Sequence, residues 1–497
     1  MMKRTSTMRL LAFVLVFAVG CCMLACGGGG DSPAPRPTPQ TVHWTKQWGT
    51  SSYDEAGAIA VDGSGNIYVV GSTGGNLDGN TNAGGWDVFL AKYDRLGNKL
   101  WTRLLGSSAD DSAYYVVLDG SGDIYIAGDT SGNLDGNINA GGADVFLAKY
   151  DRLGNKLWTR LLGSSGDEGT SGIAVDGSGN IYIAGGTSGN LDGITNAGSY
   201  DAFLAKYDSS GNKLWTQLLG SSGMEWTYYV ILDDNGGIYL TGTTSGNLDG
   251  NTNAGGEDAF LAKYDRSGNK LWTRLLGSSG GEWPSGIVVD GSGNIYIAGG
   301  TSGNLDGNTN AGYYDAFLAK YDRLGNKMWT RLLGSSGDEW PNGIVLDGSV
   351  NIYIAGLTSG RLDGNNNAGG YDAFLAKYDS SGNKLWTRLQ GSSNDDWANI
   401  IVLEVNGGIY LAGVANGILD VRTSDMFYDA FLARYDSSGN KLWTQNLGSS
   451  GDEGVYGVAT DGSGNIYIAG YTSGNLDGNT NAGDYDAFLA KYGPNGN

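Results

Sequence analysis

Residues 172–219 read GIAVDGSGNIYIAGGTSGNLDGITNAGSYDAFLAKYDSSGNKLWTQLL, and four short apolar runs divide them. Gly172-Ile-Ala-Val-Asp176 leads into the turn cluster Gly177-Ser-Gly-Asn180 and a second run, Ile181-Tyr-Ile-Ala-Gly185. A polar loop of about 15 residues separates these from Asp201-Ala-Phe-Leu-Ala-Lys-Tyr207. The turn Asp208-Ser-Ser-Gly-Asn212 and the run Lys213-Leu-Trp-Thr-Gln-Leu-Leu219 complete the stretch. Runs this short, bounded by Gly, Asn and Asp and lacking a helical period, predict four strands joined by two tight hairpins and one longer loop. Several are apolar on both faces, as strands are when neighbouring sheets cover them on both sides.

The stretch is one of eight copies. Trp-Thr recurs at Trp44, Trp101, Trp158, Trp215, Trp272, Trp329, Trp386 and Trp443, always 57 residues apart. A four-stranded unit repeated at that period predicts an all-β, eight-bladed β-propeller of antiparallel blades. The first copy opens with an unpartnered fourth strand, Trp44-Thr-Lys-Gln-Trp48, and the eighth ends before its own. The N-terminal strand is therefore expected to complete the last blade and remove both open edges.

Composition narrows the function. Gly is 87 of 497 residues, but aromatic residues reach 11%, too many for a disordered polar chain. The formal charge is -21, which argues against a nucleic-acid partner. His43 is the single His, and Cys21, Cys22 and Cys26 are the three Cys, so the repeats hold neither a Cys/His metal site nor a His-dependent charge relay.

The first segment reads as an address. Lys3, Arg4 and Arg9 precede an uncharged, mostly apolar run from Leu10 to Gly20, the pattern of a signal peptide over residues 1–25. Both Ala18-Val-Gly-Cys21 and Met23-Leu-Ala-Cys26 resemble a bacterial lipobox. Cys26 is the preferred acylation site, with Cys21 as the alternative, because Gly27–Gly30 and Pro33, Pro35, Pro37 and Pro39 follow it as a tether over 26–40. The propeller then occupies 41–497. The expected location is the cell envelope, on the outer membrane or cell surface in preference to the inner membrane, with a monomer held by its lipid.

Val175-Asp-Gly-Ser-Gly-Asn-Ile-Tyr182, with Asp-Ala-Phe-Leu-Ala-Lys-Tyr-Asp, resembles the bacterial SBBP-type β-propeller repeat across the eight units. The resemblance implies a cell-surface or secreted protein, in some cases like S-layer proteins, without an assigned activity. Ala205-Lys-Tyr-Asp208-Ser-Ser-Gly211-Asn-Lys-Leu-Trp215 is also similar to the tryptophan-docking motif of eight-bladed quinoproteins, which implies that each Trp packs between blades.

Two sets of residues could carry function. The loop before each first strand carries an acid at one fixed position: Asp54, Asp111, Glu168, Glu225, Glu282, Glu339, Asp396 and Glu453. Trp226, Trp283, Trp340 and Trp397 follow four of them, and an acidic, partly aromatic ring at one channel mouth is expected to bind a protein or carbohydrate ligand. Such repeats can equally come from a duplicated loop-stabilising acid. The longer loop places Asp78, Asn80, Asn82 and Asp87, and likewise Asp249, Asn251, Asn253 and Asp258, at spacings able to wrap Ca²⁺, although turn chemistry alone uses the same residues. Near-identical copies distinguish no acid from a base, so a non-catalytic binding scaffold is expected. The alternatives are a periplasmic assembly scaffold like the propeller lipoprotein of barrel assembly, or a quinoprotein-like or carbohydrate-active enzyme. Copies four and seven depart most from the common pattern, at Asp233-Asp-Asn-Gly-Gly237 and Glu404-Val-Asn-Gly-Gly408.

Overall fold

The computed structural model describes residues 43–404, 407–417, 419 and 427–496. The leader, both candidate lipid-bearing Cys and most of the divergent loop of the seventh unit lie outside the described residues. Thirty-two strands, numbered β1–β32 along the chain, form eight four-stranded antiparallel sheets, with no helix among the described residues. In the first blade, β2 (Asp54–Val61), β3 (Ile67–Thr73), β4 (Asp87–Tyr93) and β5 (Lys99–Leu105) adjoin in space in their order in the chain.

Every residue of β3 and β4 is buried, which is why neither alternates polar with apolar. β5 is outermost and begins with the exposed Lys99 and Leu100. The core is a ring of separate clusters, each built from two successive sheets; Val70 and Leu90 of one blade meet Val116, Ile126 and Phe146 of the next.

The ring closes as the orphan strand predicts. The last blade contains β30 (Glu453–Thr460), β31 (Ile466–Thr472) and β32 (Asp486–Tyr492), and β1 (Trp44–Trp48) is its fourth strand. Trp44 lies opposite Lys491 and Trp48 opposite Ala487. Trp48, Ile59 and Phe89 pack with Tyr467 and Leu489 across the seam.

Blades are also fastened at their outer edges. Trp101 lies against Gly154, in the hairpin turn of the next blade. Gly154 has φ of 81°, and a Cβ there would come within 2.8 Å of the indole. The Arg103 guanidinium stacks 5.2 Å from the same indole, and its Nε donates to the Gly154 carbonyl at 2.9 Å. Trp158 meets Gly211 and Trp215 meets Gly268 in the same way. At the seam Trp44 meets Gly97, and Lys491 Nζ donates to the Arg95 carbonyl at 3.2 Å, as Lys92 does to that of Arg152 at 2.9 Å.

The first hairpin of each blade follows its sequence. Asp62 Oδ1 accepts from the Ser64 and Asn66 amides at 2.9 Å, and Gly65 supplies a φ of 80°. The sixth unit puts Val350 at this glycine position, with φ of 61°. A β-branched residue in the left-handed region stores strain of about 1–3 kcal/mol. Val350→Gly is therefore expected to stabilise the protein by about 1 kcal/mol, with part of the relief offset by glycine's greater freedom when unfolded. Urea unfolding should show a higher midpoint at an unchanged slope.

Candidate functional site

The structure corrects the expected exposure of the acid ring. All eight acids are at most 1% exposed. They lie where the loop from the preceding blade turns into the first strand, and the loop folds over them. Glu168 shows the arrangement: its Oε2 accepts from the Ser164 amide at 2.6 Å, and its Oε1 accepts from the Ser164 and Thr187 hydroxyls at 2.5 Å. One carboxylate thus ties the loop to the end of the second strand. Glu225, Glu282 and Glu339 bind Ser221 and Thr244, Ser278 and Thr301, and Ser335 and Thr358 in the same way. Asp396 accepts from Ser392, but Ala415 stands opposite it where other blades have Thr, and its Oδ1 has no partner.

The aromatic neighbours point the other way, as alternation along a strand requires. Trp226, Trp283, Trp340 and Trp397 are half-buried. Two of them also cover the neighbouring blade: a Cβ at Gly186 would lie 2.4 Å from Trp226, and one at Gly300 2.8 Å from Trp340. Trp283 stands 5.7 Å from Trp340, and Tyr314 stands 5.8 Å from Trp283 and 5.6 Å from Trp340. Trp397 is 5.3 Å from Tyr428, and Trp226 is 5.5 Å from Tyr200.

These tyrosines belong to a ring the sequence reading overlooked. The residue before each third strand is Trp86, Ala143, Tyr200, Glu257, Tyr314, Tyr371, Tyr428 or Tyr485, aromatic in six of eight copies. Its carbonyl accepts the amide of the buried acid of the next blade, at 2.8 Å from Glu225 to Tyr200 and 2.7 Å from Glu339 to Tyr314. The signal was present as one variable column directly before Asp-Ala-Phe-Leu, at the end of a loop read only for its Asp and Asn. Tyr53, Tyr471 and Tyr485 continue the belt where the ring closes, at centroid distances of 4.6 and 5.3 Å. Blade two and the first strand of blade three leave a gap, with Ser112, Ala143 and Gly169.

Carboxylates edge this belt. Glu257 Oε2 accepts from Trp283 Nε1 at 2.6 Å. Asp338 accepts from the Tyr371 hydroxyl at 3.4 Å, and Asp395 accepts from the Tyr371 amide at 3.0 Å. Burial, and then the Asp338 charge, raise the Tyr371 phenol above its usual range.

Below the mouth, each first strand carries a bulge, which supplies Gly57, Tyr114, Ser171, Tyr228, Ser285, Asn342, Asn399 and Tyr456 in turn. Across blades three to seven these strands line an opening whose wall includes Ser171, Ser285, Asn342 and Asn399 but no charged residue. Asn342 Nδ2 donates to the Ala398 carbonyl at 2.9 Å, so part of this polarity links blade to blade.

The Asp and Asn positions of the long loops fold along the outer strand, and the residues as placed do not fit a Ca²⁺ site. Asp78, at φ of 51°, accepts from Lys99 Nζ and the Thr102 hydroxyl, both at 2.6 Å. Asp249 is held by Lys270 and Thr273 at 2.5 Å. Asn80 and Asn251 donate to the carbonyls of Leu77 and Leu248. Asn82 and Asn253 accept from the amides of Gly84 and Gly255. Asp87 and Asp258 are buried and accept from the Ala83 and Ala254 amides. Asp78 and Asp249 are thus engaged by Lys and Thr, while Asp87 and Asp258 each give one oxygen to an amide and leave a buried Oδ1 without a hydrogen bond, at separate points of the loop. Among the described residues no three acidic or His side chains converge as a metal group would require.

A family model described as SBBP, beta-propeller repeat, matches residues 43–78, 100–135, 157–192, 271–306, 329–363 and 442–477. Six stretches of the chain are thus similar to that repeat. The two longest stretches between these matches, 193–270 and 364–441, contain the divergent turns of units four and seven. The chain is 25% identical over 462 residues to the regulatory protein FlaEY of Caulobacter vibrioides, covering 82% of this chain and 48% of that protein. It is 24% identical over 533 residues to the uncharacterized WD repeat-containing protein L264 of Acanthamoeba polyphaga mimivirus, covering 79% and 38%. The chain thus spans about half the length, or less, of these curated relatives. Among solved structures, the polysaccharide lyase Uly1 aligns at 11% identity and a TM-score of 0.45 over 88% of this chain and 90% of that one. That likeness concerns the fold alone.

The buried acids carry a testable consequence. Burial outweighs the hydrogen bonds from Ser449 and Thr472 and pushes the Glu453 carboxyl up to about 7; burial likewise raises Asp396 to about 6. A carboxyl that holds its proton more tightly when folded favours the native state at low pH and loses that advantage as pH rises to the folded value. Stability should therefore fall between about pH 4.5 and pH 7. Thermal melts at pH 5 should exceed those at pH 8, and Glu453→Gln should reduce the difference. An undiminished difference in Glu453→Gln would assign the effect to the overall negative charge instead.

Proposed function

We propose that this protein is a lipid-anchored propeller of the cell envelope that binds a protein or carbohydrate partner at its aromatic mouth, without catalysis. The observation that carries the reading is the belt of half-buried Trp and Tyr rings around one end of the channel. Packing between blades accounts for Trp101 and its equivalents, but the mouth rings contribute to no core cluster and vary from blade to blade. Rings presented in this way suit the face of a sugar or the side chains of a peptide. The non-catalytic reading is supported by the fate of the acids: the eight that open the first strands are buried against Ser and Thr, and the channel wall across blades three to seven is uncharged. The envelope location rests on the leader and its two lipobox-like Cys.

Both halves of the proposal are testable in cells. Cys26→Ala should move the protein from the membrane to the soluble fraction; retention by Cys26→Ala with release by Cys21→Ala would relocate the lipid, and retention by the double variant would end the anchoring proposal. Purified wild-type protein should retain a component of envelope extract that Trp283→Ala/Trp397→Ala loses at least tenfold, with a melting temperature within a few degrees of the parent. Equal retention by the folded variant would remove the mouth as the binding surface.

A further inference from the structure

Charge is sorted by face. Apart from Arg361, every Lys and Arg among the described residues lies in a third strand, a fourth strand or the hairpin turn between them. Many of these cations are already engaged: Lys99 with Asp78, Lys92 with the Arg152 carbonyl, Arg103 with Trp101 and Gly154. The mouth residues include no cation. There, Glu257 meets the Trp283 indole, and Asp338 and Asp395 flank Tyr371 beside Trp340 and Trp397. Carboxylates at the margins of half-buried aromatic rings, with no cation beside them, suit the same partner, a cation.

The protein uses this pairing internally. Arg274 lies 5.4 Å over Trp272, and Arg331 5.2 Å over Trp329, at the outer seams. At the mouth the aromatic half of the pair recurs on blades five, six and seven with its own carboxylates, but the guanidinium is absent. Several such positions side by side suit an extended segment with repeated basic residues better than a single amine. Across blades three to seven the uncharged channel wall offers a charged side chain no partner, so beside Trp283, Trp340 and Trp397 the segment belongs across the mouth and not down the channel.

We propose that the occupant of the mouth is a basic peptide segment whose Arg or Lys side chains stack on Trp283, Trp340 and Trp397 and pair with Glu257, Asp338 and Asp395. This rests on the reading of the mouth as a binding surface and names its ligand class. Guanidinium suits the site best, because it is planar, stacks on rings and can pair with a carboxylate at its edge.

The test uses the full chain and three probes: a twelve-residue Arg/Gly peptide, the same peptide with Glu for Arg, and a neutral glucan oligosaccharide. Calorimetry and tryptophan fluorescence should report binding of the Arg peptide alone, at least tenfold weaker at 300 mM than at 50 mM NaCl because exposed charges are screened. Glu257→Gln/Asp338→Asn should weaken it at least tenfold. Asp234→Asn, on the exposed hairpin turn of blade four, should leave it unchanged. Asp395→Asn serves as an independent single variant should the double variant melt early. Binding of the glucan but not the peptide, lost in Trp283→Ala/Trp397→Ala, would overturn the cationic class while leaving the mouth as the binding surface. Arg-peptide binding that is insensitive to every mouth substitution would overturn both. Binding of none of the probes would overturn the basic-peptide inference, with the envelope-extract comparison still deciding whether the mouth binds anything.

Discussion

The contact between the outer-strand Trp of one blade and the left-handed Gly of the next is the constraint on which the ring depends. Each blade is a sheet whose two faces must both be covered, and only a closed ring covers all sixteen faces of its eight sheets. Core clusters between successive sheets provide the driving force, but hydrophobic burial is non-directional. The Trp–Gly contact, with an Arg stacked on the indole and bonded to the Gly carbonyl at five of the eight contacts, fixes how far each blade slides over the next. Its recurrence at the seam, Trp44 on Gly97, gives the strand from the start of the propeller the same contact that every other fourth strand makes.

Much of this was legible in the sequence because it repeats. The spacing of Trp-Thr gave the blade count, the two-sided apolar runs gave sheets covered on both faces, and the orphan Trp44–Trp48 strand gave the closure. The site was less legible, for physical reasons. An acid in a polar loop has the same letter whether it faces solvent or folds back onto Ser and Thr hydroxyls, and Glu168 folds back. Asp78 and Lys99 lie 21 residues apart, so nothing local marks Asp78 as half of an ion pair and not as a metal ligand. The tyrosine ring escaped notice because its column ends a loop and contributes nothing to hairpin or core.

The repeat therefore divides into two sets of positions. Those that hold the ring vary little: the turn Asp and Asn, the docking Trp and its Gly, the Lys that clamps the long loop. Those at the mouth and along the bulges vary freely, from Gly57 to Tyr114 to Asn342 in the channel and from Ala143 to Glu257 to Tyr371 above it. A duplicated blade can change these outward-facing residues without disturbing its neighbours, so asymmetry collects there. The cations illustrate the same division, since the seams and outer edges use them and the mouth is left acidic and aromatic.

The central claim is most directly tested by a double-mutant cycle on one docking contact, Trp272 with Gly325, read by urea unfolding at neutral pH. A Cβ at Gly325 would come within 2.9 Å of the Trp272 indole, and the residue has φ of 78°. The account predicts that Gly325→Ala costs about 2 kcal/mol or more in the parent, from clash and backbone strain together. In Trp272→Ala only the strain should remain, giving a coupling of about 1 kcal/mol or more. Additivity of the two substitutions within about 0.3 kcal/mol would contradict it and leave blade spacing to the core clusters alone.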